Sequence, residues 1–296
     1  MSFLYKELIA RKLNIIKMRI AYFIQVHNQP EQLFKLIERL NQTNVDFYVH
    51  VDKKSDINSF LKEFVAKKIS FIKKRVNVHW GGYSQVQATI NGLQEIIESG
   101  IEYDYITFLS GQDYPLKSNE KIVNFFSENP KKAFMEFYSI QNSWKEAIPR
   151  LNKYHFTDYR FWGSVQIERL LNFVLPLREL PSNLIFVGRS SWFTITNEHV
   201  KYILQYLNAN KAFVNYLKFT WGCDEFIFQT ILYNSPFKDQ MVNDNLRYVD
   251  WSLGGARPKN LTVADFDKLV SSNKLFARKF SRKIDAEIID LLDKTN

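Results

Sequence analysis

From Arg19 onward the chain alternates apolar, β-branched runs with amphipathic helical patterns, and this alternation restricts it to a sheet covered by helices. Arg19 to Val26 reads RIAYFIQV, the nearly unbroken apolar run that a strand buried on both faces requires. Pro30 opens a helical pattern with Leu33, Leu36, Ile37 and Leu40 on one face, and proline suits a first turn, where its missing N–H would have no helical partner. Asp46 to Val51 reads as a second strand, followed by a helix over Ile57 to Ala66 and a short strand near Val76 to Val78. Ser84 is the expected N-cap of a helix carrying Val86, Ile90, Leu93 and Ile97. Tyr105 to Leu109 is the next strand, and Ser118 caps a helix containing Ile122 and Phe126. Four strand-helix steps in about 110 residues predict an α/β fold with a mostly parallel central sheet.

The pattern loosens after Pro130. It predicts a strand over Ala133 to Tyr138, a mixed aromatic and basic stretch from Trp144 to Leu180, and a strand pair around Leu184 to Thr196. Helices follow near Asn197 to Leu207 and Cys223 to Leu232, so this half is expected to complete one domain spanning 18–296. Residues 1–17 stand apart as a basic amphipathic extension. Leu4, Leu8, Ile9, Leu13 and Ile16 recur at helical spacing with Lys6, Arg11, Lys12 and Lys17 between them. Such a helix suits an anionic membrane surface. The other reading is an upstream extension, with Met18 as the natural start.

Composition narrows the function classes. A chain of 296 residues with 46% hydrophobic and 16% aromatic residues can bury a core, which excludes disordered and fibrous classes. The formal charge of +9 suits an anionic partner: nucleic acid, an acidic membrane surface or a phosphorylated small molecule. The positive charge is spread along the chain and no recognised nucleic-acid module occurs, so a nucleic-acid partner is not expected. Cys223 is the only cysteine, and it can form no intramolecular disulfide. No apolar run is long enough to cross a membrane and the N-terminus lacks a secretory pattern, so the expectation is a soluble or peripherally attached protein.

In parallel sheets the functional loops lie beyond the carboxyl ends of the strands. The polar residues in those positions are His27, Asp52, the Trp80 to Tyr83 turn and Gln112-Asp113. No GxGxxG follows the first strand, and no P-loop, CxxC pair, HExxH or GxSxG elbow occurs. Nor does an Asp-x-Asp follow a strand. If a nucleotide diphosphate binds, something other than a metal must neutralise it.

A series of ordered blocks is more specific than any of these. Tyr48-Val49-His50-Val51-Asp52 is followed by Leu109-Ser110-Gly111-Gln112-Asp113-Tyr114-Pro115-Leu116 and then by Gly188-Arg189-Ser190-Ser191-Trp192-Phe193. Cys223-Asp224-Glu225-Phe226 with Gln229-Thr230, Arg247 to Trp251 and Leu275 to Phe280 complete the series. In this order and spacing the chain resembles the core-2/I-branching β-1,6-N-acetylglucosaminyltransferase family, which also contains protein O-xylosyltransferases, from about Arg19 to Phe280. The resemblance implies a single GT-A-like, Rossmann-type glycosyltransferase domain, a UDP-sugar donor, inversion at the anomeric carbon, and no metal or other cofactor.

The resemblance also implies roles. Glu225 matches the catalytic base, Lys279 a phosphate-binding lysine, and Arg257, at a spacing that differs by one residue, its partner arginine. His27, Asp52, Tyr83 and Asp113 resemble positions around the nucleotide; Asp113 is equally suited to fixing its own Gln112-Asp113-Tyr114-Pro115 turn. Glu136 and Trp251 correspond to the acceptor side. The implied partners are a UDP-sugar and a glycan or lipid-linked glycan acceptor, with N-acetylglucosamine as the expected sugar and xylose as the alternative. The lack of a membrane anchor and of paired cysteines fits a bacterial-type member at the cytoplasmic face of a membrane, acting in surface polysaccharide synthesis. A transferase-like protein that binds carbohydrate without catalysis is the other class. The joint presence of Glu225, Arg257 and Lys279 weighs against it.

Overall fold

The computed structural model describes residues 18–62, 69–181 and 183–295. The extension 1–17 and the end of the helix expected over Ile57 to Ala66 lie outside the described residues.

The main sheet has seven strands in the order β3-β2-β1-β4-β7-β6-β8. These are β1 (Ile20–Val26), β2 (Val45–Val51), β3 (Ile69–Phe71), β4 (Tyr105–Ser110), β6 (Ala133–Ser139), β7 (Val187–Ile195) and β8 (Met241–Asn243). A smaller sheet, β5-β10-β9, joins β5 (Asp113–Pro115), β9 (Arg247–Val249) and β10 (Phe276–Arg278). β1 is parallel to both β2 and β4, and β6 is parallel to β8. Only β7 runs against its neighbours in the main sheet. The expected α/β class with a mostly parallel sheet is therefore the observed one.

The apolar run in β1 is explained by burial on both faces. Ile20, Tyr22, Ile24 and Val26 pack into one core cluster, and the alternate residues Ala21 and Phe23 pack into the other. A strand's side chains alternate across the sheet, so a two-faced core demands apolar residues at every position. Leu33, Leu36, Ile37 and Leu40 of the Pro30–Leu40 helix cover the first face, while Val86, Leu93 and Ile96 of the Tyr83–Glu98 helix cover the second. Each fully buried side chain of this size contributes about 1.5–3 kcal/mol.

Four expectations need correction. Val76 to Val78 is not a strand. Its polar backbone groups are satisfied by other partners: Val76 N–H donates to His50 Nε2 and Val76 C=O accepts from Lys53 N–H. The short strand is instead β3, which pairs in parallel with Phe47, Tyr48 and Val49. Ser84 is not the N-cap of its helix. Gly82 is, and it has no side chain to offer. Asp158 supplies the cap from a distant loop, accepting from Ser84 N–H at 2.8 Å and Ser84 Oγ at 2.5 Å. A Cβ on Gly82 would lie 2.2 Å from Asp158 Oδ1, so only glycine admits this carboxylate.

The Leu184 to Thr196 region is one nine-residue strand rather than a pair. Polar Arg189, Ser190 and Ser191 interrupt its apolar pattern, so it reads as two elements, although the strand runs unbroken between β4 and β6. The helix expected over Cys223 to Leu232 is broken. A 3-10 turn spans Cys223–Glu225, Phe226 has an extended φ of −145°, and an α-helix runs over Ile227–Tyr233. Ser118, by contrast, caps the Asn119–Glu128 helix as expected.

Candidate active site

The parallel register of β1, β2 and β4 brings their carboxyl ends together. Val26 lies opposite Val51, and Gln25 lies opposite Ser110. The following residues are stitched to one another: Asp52 N–H donates to Val26 C=O, and Gly111 N–H donates to Gln25 C=O. His27 is exposed at this edge, and its carbonyl accepts from Ser55 Oγ at 2.6 Å. Asp52 is buried, with its Oδ1 accepting from Lys54 N–H at 2.9 Å.

Lys279 is fastened to the same edge. Phe280 N–H donates to Gln112 C=O, and the buried Gln32 amide donates to both Gly111 C=O and Phe280 C=O. The antiparallel pairing of β10 with β5 sets Arg278 opposite Asp113. Arg278 Nε lies 3.0 Å from Asp113 Oδ1, and its guanidinium stacks 4.1 Å from the Trp192 ring. Arg247 is buried beside them, its Nη atoms donating to the carbonyls of Asn245 and Phe108. Both guanidiniums are attracted by the buried Asp113 carboxylate, and Asp244 adds to the hold on Arg247. Burial, then Arg257, then Arg278 push the Lys279 ammonium below its ordinary value. Cations that are costly to keep charged side by side favour an anion next to them.

A second cluster forms around the Cys223–Glu225 turn. Asp224 is buried, and its Oδ2 accepts from Ser191 Oγ at 2.6 Å and Gln85 Nε2 at 2.8 Å. Glu225 points elsewhere: its Oε2 accepts from Arg150 Nη1 at 2.5 Å. Burial and the neighbouring Asp224 raise the Glu225 carboxyl to about 7, against the opposing pull of Arg150. Asp224 is also shifted upward, chiefly by burial. Arg150 itself lies over the rings of Trp221 (4.4 Å) and Trp144 (5.0 Å).

β7 is the spine that joins the two clusters. Its alternation directs Ser191 to Asp224 and Trp192 to Arg278. Ser190, on the Trp192 side, accepts from Asn245 Nδ2, which also donates to Glu136 Oε2 at 3.1 Å. Gly188 is required by a backbone crossing. A Cβ there would stand 2.3 Å from Phe226 Cβ and 2.4 Å from the Glu225 carbonyl oxygen. The turn that carries Glu225 therefore lies directly on β7.

The sequence-predicted residues fall into distinct settings. His27, Asp52 and Lys279 share the sheet edge, and Arg257 is exposed close enough to depress Lys279. Asp113 is fully buried, accepts from Ser110 N–H at 2.6 Å and faces Arg278, so it fixes its own turn and holds β10. Tyr83 is buried at the start of its helix and packs in the second core cluster. Glu136 is half-buried and raised by burial, while Trp251 is 55% exposed on a turn. Among the described residues, no group of three or more His, Cys, Asp or Glu side chains is arranged to hold a metal ion.

Sequence reasoning missed Arg150, Asp158 and Gln85. Arg150 and Asp158 fall in the stretch without clear periodicity, and Gln85 reads as an ordinary helix-surface residue. Ser191, Arg247 and Arg278 lie inside the ordered blocks, but no role attaches to them.

The Core-2/I-Branching enzyme family model matches residues 20–270. Xylosyltransferase 2 of Rattus norvegicus and of Homo sapiens are each 30% identical over 302 residues, covering 93% of this chain and 33% of the relative. Xylosyltransferase 1 of Pan troglodytes is 27% identical, covering 93% of this chain and 30% of the relative. The chain thus spans about a third of the length of the curated relatives it matches. A solved glucosyl-3-phosphoglycerate synthase from Mycobacterium tuberculosis covers 73% of this chain and 70% of its own at 13% identity and a TM-score of 0.34, too low to carry an inference. The family match and the identity together establish that this chain belongs to the Core-2/I-Branching enzyme family of glycosyltransferases.

Proposed function

We propose that the chain transfers a sugar from a UDP-sugar to a hydroxyl of a glycan or lipid-linked glycan, with inversion and without a metal ion. The observation that carries this reading is the arrangement along β7, with the Asp224 and Glu225 carboxylates on one side and the Arg278 guanidinium, next to Lys279 in the chain, on the other.

In this mechanism the acceptor hydroxyl attacks the anomeric carbon and passes its proton to Glu225. Arg150 engages Oε2, so the second carboxylate oxygen is assigned to the acceptor. A base with a pKa of about 7 is matched to neutral conditions, and such assistance is worth roughly a hundredfold to ten-thousandfold. As the bond to the diphosphate breaks, UDP gains negative charge. Lys279 and Arg257, backed by Arg247 and Arg278, are assigned to that charge; preorganised cations act without reorganising at the moment of reaction. His27, Asp52 and Tyr83 are assigned to the nucleoside, Asp113 to the support of that edge, and Glu136 and Trp251 to the acceptor.

The donor in this reading is UDP-N-acetylglucosamine. A second reading, UDP-xylose, is favoured by the names of the relatives. The proposed setting is the cytoplasmic face of a membrane, in the building of a surface polysaccharide; among the described residues no helix is long and apolar enough to cross a membrane. A panel of UDP-sugars, assayed for UDP release and for transfer with and without chelator, tests the proposal. UDP binding and turnover should survive the chelator. Activity that vanishes with chelator and returns with manganese would show that the diphosphate is not held by the basic cluster alone.

A further inference from the structure

The Ser164–Val174 helix is built inside out. None of its residues is buried, although it is rich in leucine, isoleucine, valine and phenylalanine. It is held to the molecule by its polar side. Glu168 Oε2 accepts from Phe156 N–H at 2.8 Å, and Asn172, one turn later, accepts from Tyr154 N–H at 2.8 Å and donates to Tyr154 C=O at 2.7 Å. Apart from Leu171, which is half-buried, the apolar residues consequently face away. Phe173 is 87% exposed, Leu170 59% and Val165 56%, and just before the helix Trp162 is 99% exposed and Phe161 53%. A helix against water ordinarily shows the reverse pattern.

We infer that this ridge is a membrane-docking element that seats in the headgroup region of an anionic bilayer. The charges on and beside it select that occupant. The two acids between Tyr154 and Arg178 are turned inward: Asp158 caps the Tyr83–Glu98 helix and Glu168 clips the Phe156 backbone. The exposed charges on the ridge itself are Arg160 and Arg169, and the exposed acid Glu179 comes only after it. Outward aromatics flanked by arginines are the pattern that partitions into a lipid interface, and a net charge of +9 adds long-range attraction to anionic lipid. A fully exposed tryptophan just before the helix also suits insertion into a soft surface.

The ridge adjoins the candidate site. Tyr159 stacks 5.3 Å from Phe219, and two residues on, Trp221 carries Arg150, the partner of Glu225. Docking there would present a lipid-linked acceptor to Glu225, a consequence that rests on the proposed transferase reading; the docking itself does not.

Co-sedimentation of the full chain with phosphatidylglycerol/phosphatidylcholine vesicles tests the inference without any activity assay. The wild type should bind, and Trp162→Ser with Phe173→Ser should weaken partitioning by about tenfold or more while leaving the melting temperature unchanged. Arg160→Gln and Arg169→Gln should each cost about fivefold on anionic vesicles and little on pure phosphatidylcholine. A chain lacking residues 1–17 should retain the difference between wild type and the double variant. Absent vesicle binding, or binding unaffected by the double variant, overturns the inference. So does sedimentation equilibrium showing a dimer that the same substitutions dissociate, which would assign the ridge to a second copy of the chain.

Discussion

Arg150 donates to Glu225 Oε2 at 2.5 Å while lying over the rings of Trp144 and Trp221, so a residue outside every recognised block opposes protonation of the candidate base. The indole faces hold the guanidinium by cation–π contact at 4.4 and 5.0 Å. Burial and Asp224 favour the protonated carboxyl, and Arg150 opposes them.

Removing Arg150 should therefore change the pH profile as well as the rate. A base must be deprotonated, so activity should rise with pH through about 7 in the wild type. Arg150→Gln removes the charge that lowers the Glu225 pKa and should move this limb upward by about one unit or more. The loss should be large at neutral pH and much smaller on the alkaline side. A uniform loss at every pH would assign Arg150 a purely structural role.

Binding and chemistry should separate between the two clusters. Glu225→Gln keeps the shape of the side chain and removes the basic oxygen; turnover with a true acceptor should fall roughly a hundredfold or more. UDP affinity by calorimetry should be almost unchanged. Lys279→Ala removes a charge-assisted contact worth roughly 1.5–3 kcal/mol, so UDP binding should weaken together with turnover. Wild-type transfer by Glu225→Gln would place the base elsewhere.

The close crossing at Gly188 gives a stability test. The atoms that a Cβ would meet are the Phe226 Cβ and the Glu225 backbone, neither of which is a flexible side-chain end. Gly188→Ala should cost at least about 2 kcal/mol in urea unfolding. The shift falls on the Glu225 turn, so activity at a temperature where the variant is folded should drop as well. Unchanged stability would mean that the turn can lift off β7 cheaply.

The parts of this molecule that follow local rules were legible in its sequence. The doubly buried β1, the amphipathic face of the Pro30–Leu40 helix and the Ser118 cap each depend on residues close together in the chain. The misreadings share a different cause. The cap on the Tyr83–Glu98 helix comes from Asp158, and the backbone of Val76 is bonded to His50 and Lys53; contacts between distant segments leave no periodicity to read. Arg150 was hidden for the same reason, and the Ser164–Val174 helix because its amphipathic face points outward. At the candidate site, the motif blocks identified residue types. Only the structure placed Trp192 and Ser191 on opposite sides of one strand.

The buried histidines should make the fold sensitive to acid. His50 is 1% exposed and lowered from 6.5 to about 4, chiefly by burial; its Nε2 accepts from Val76 N–H, so protonation would also break that bond. His199, 0% exposed, is likewise lowered to about 4, and its Nδ1 accepts from Thr196 N–H in the helix cap. A histidine pKa depressed by folding means that the unfolded chain binds more protons between those limits. Stability is then fully present above 6.5 and falls as the pH drops toward 4. Each histidine should account for roughly 2 kcal/mol by about pH 5, at 1.36 kcal/mol per unit. The raised carboxyls of Glu225, Asp224 and Glu136 act in the opposite sense, so the total slope is a difference. The clean measurement is therefore a comparison of urea unfolding between wild type and His50→Gln at neutral and acidic pH. Glutamine retains an acceptor for Val76 N–H and cannot protonate. The variant should be somewhat less stable than wild type at neutral pH and lose less stability on acidification. Parallel pH dependence in the two proteins would show that His50 does not titrate during unfolding in this range.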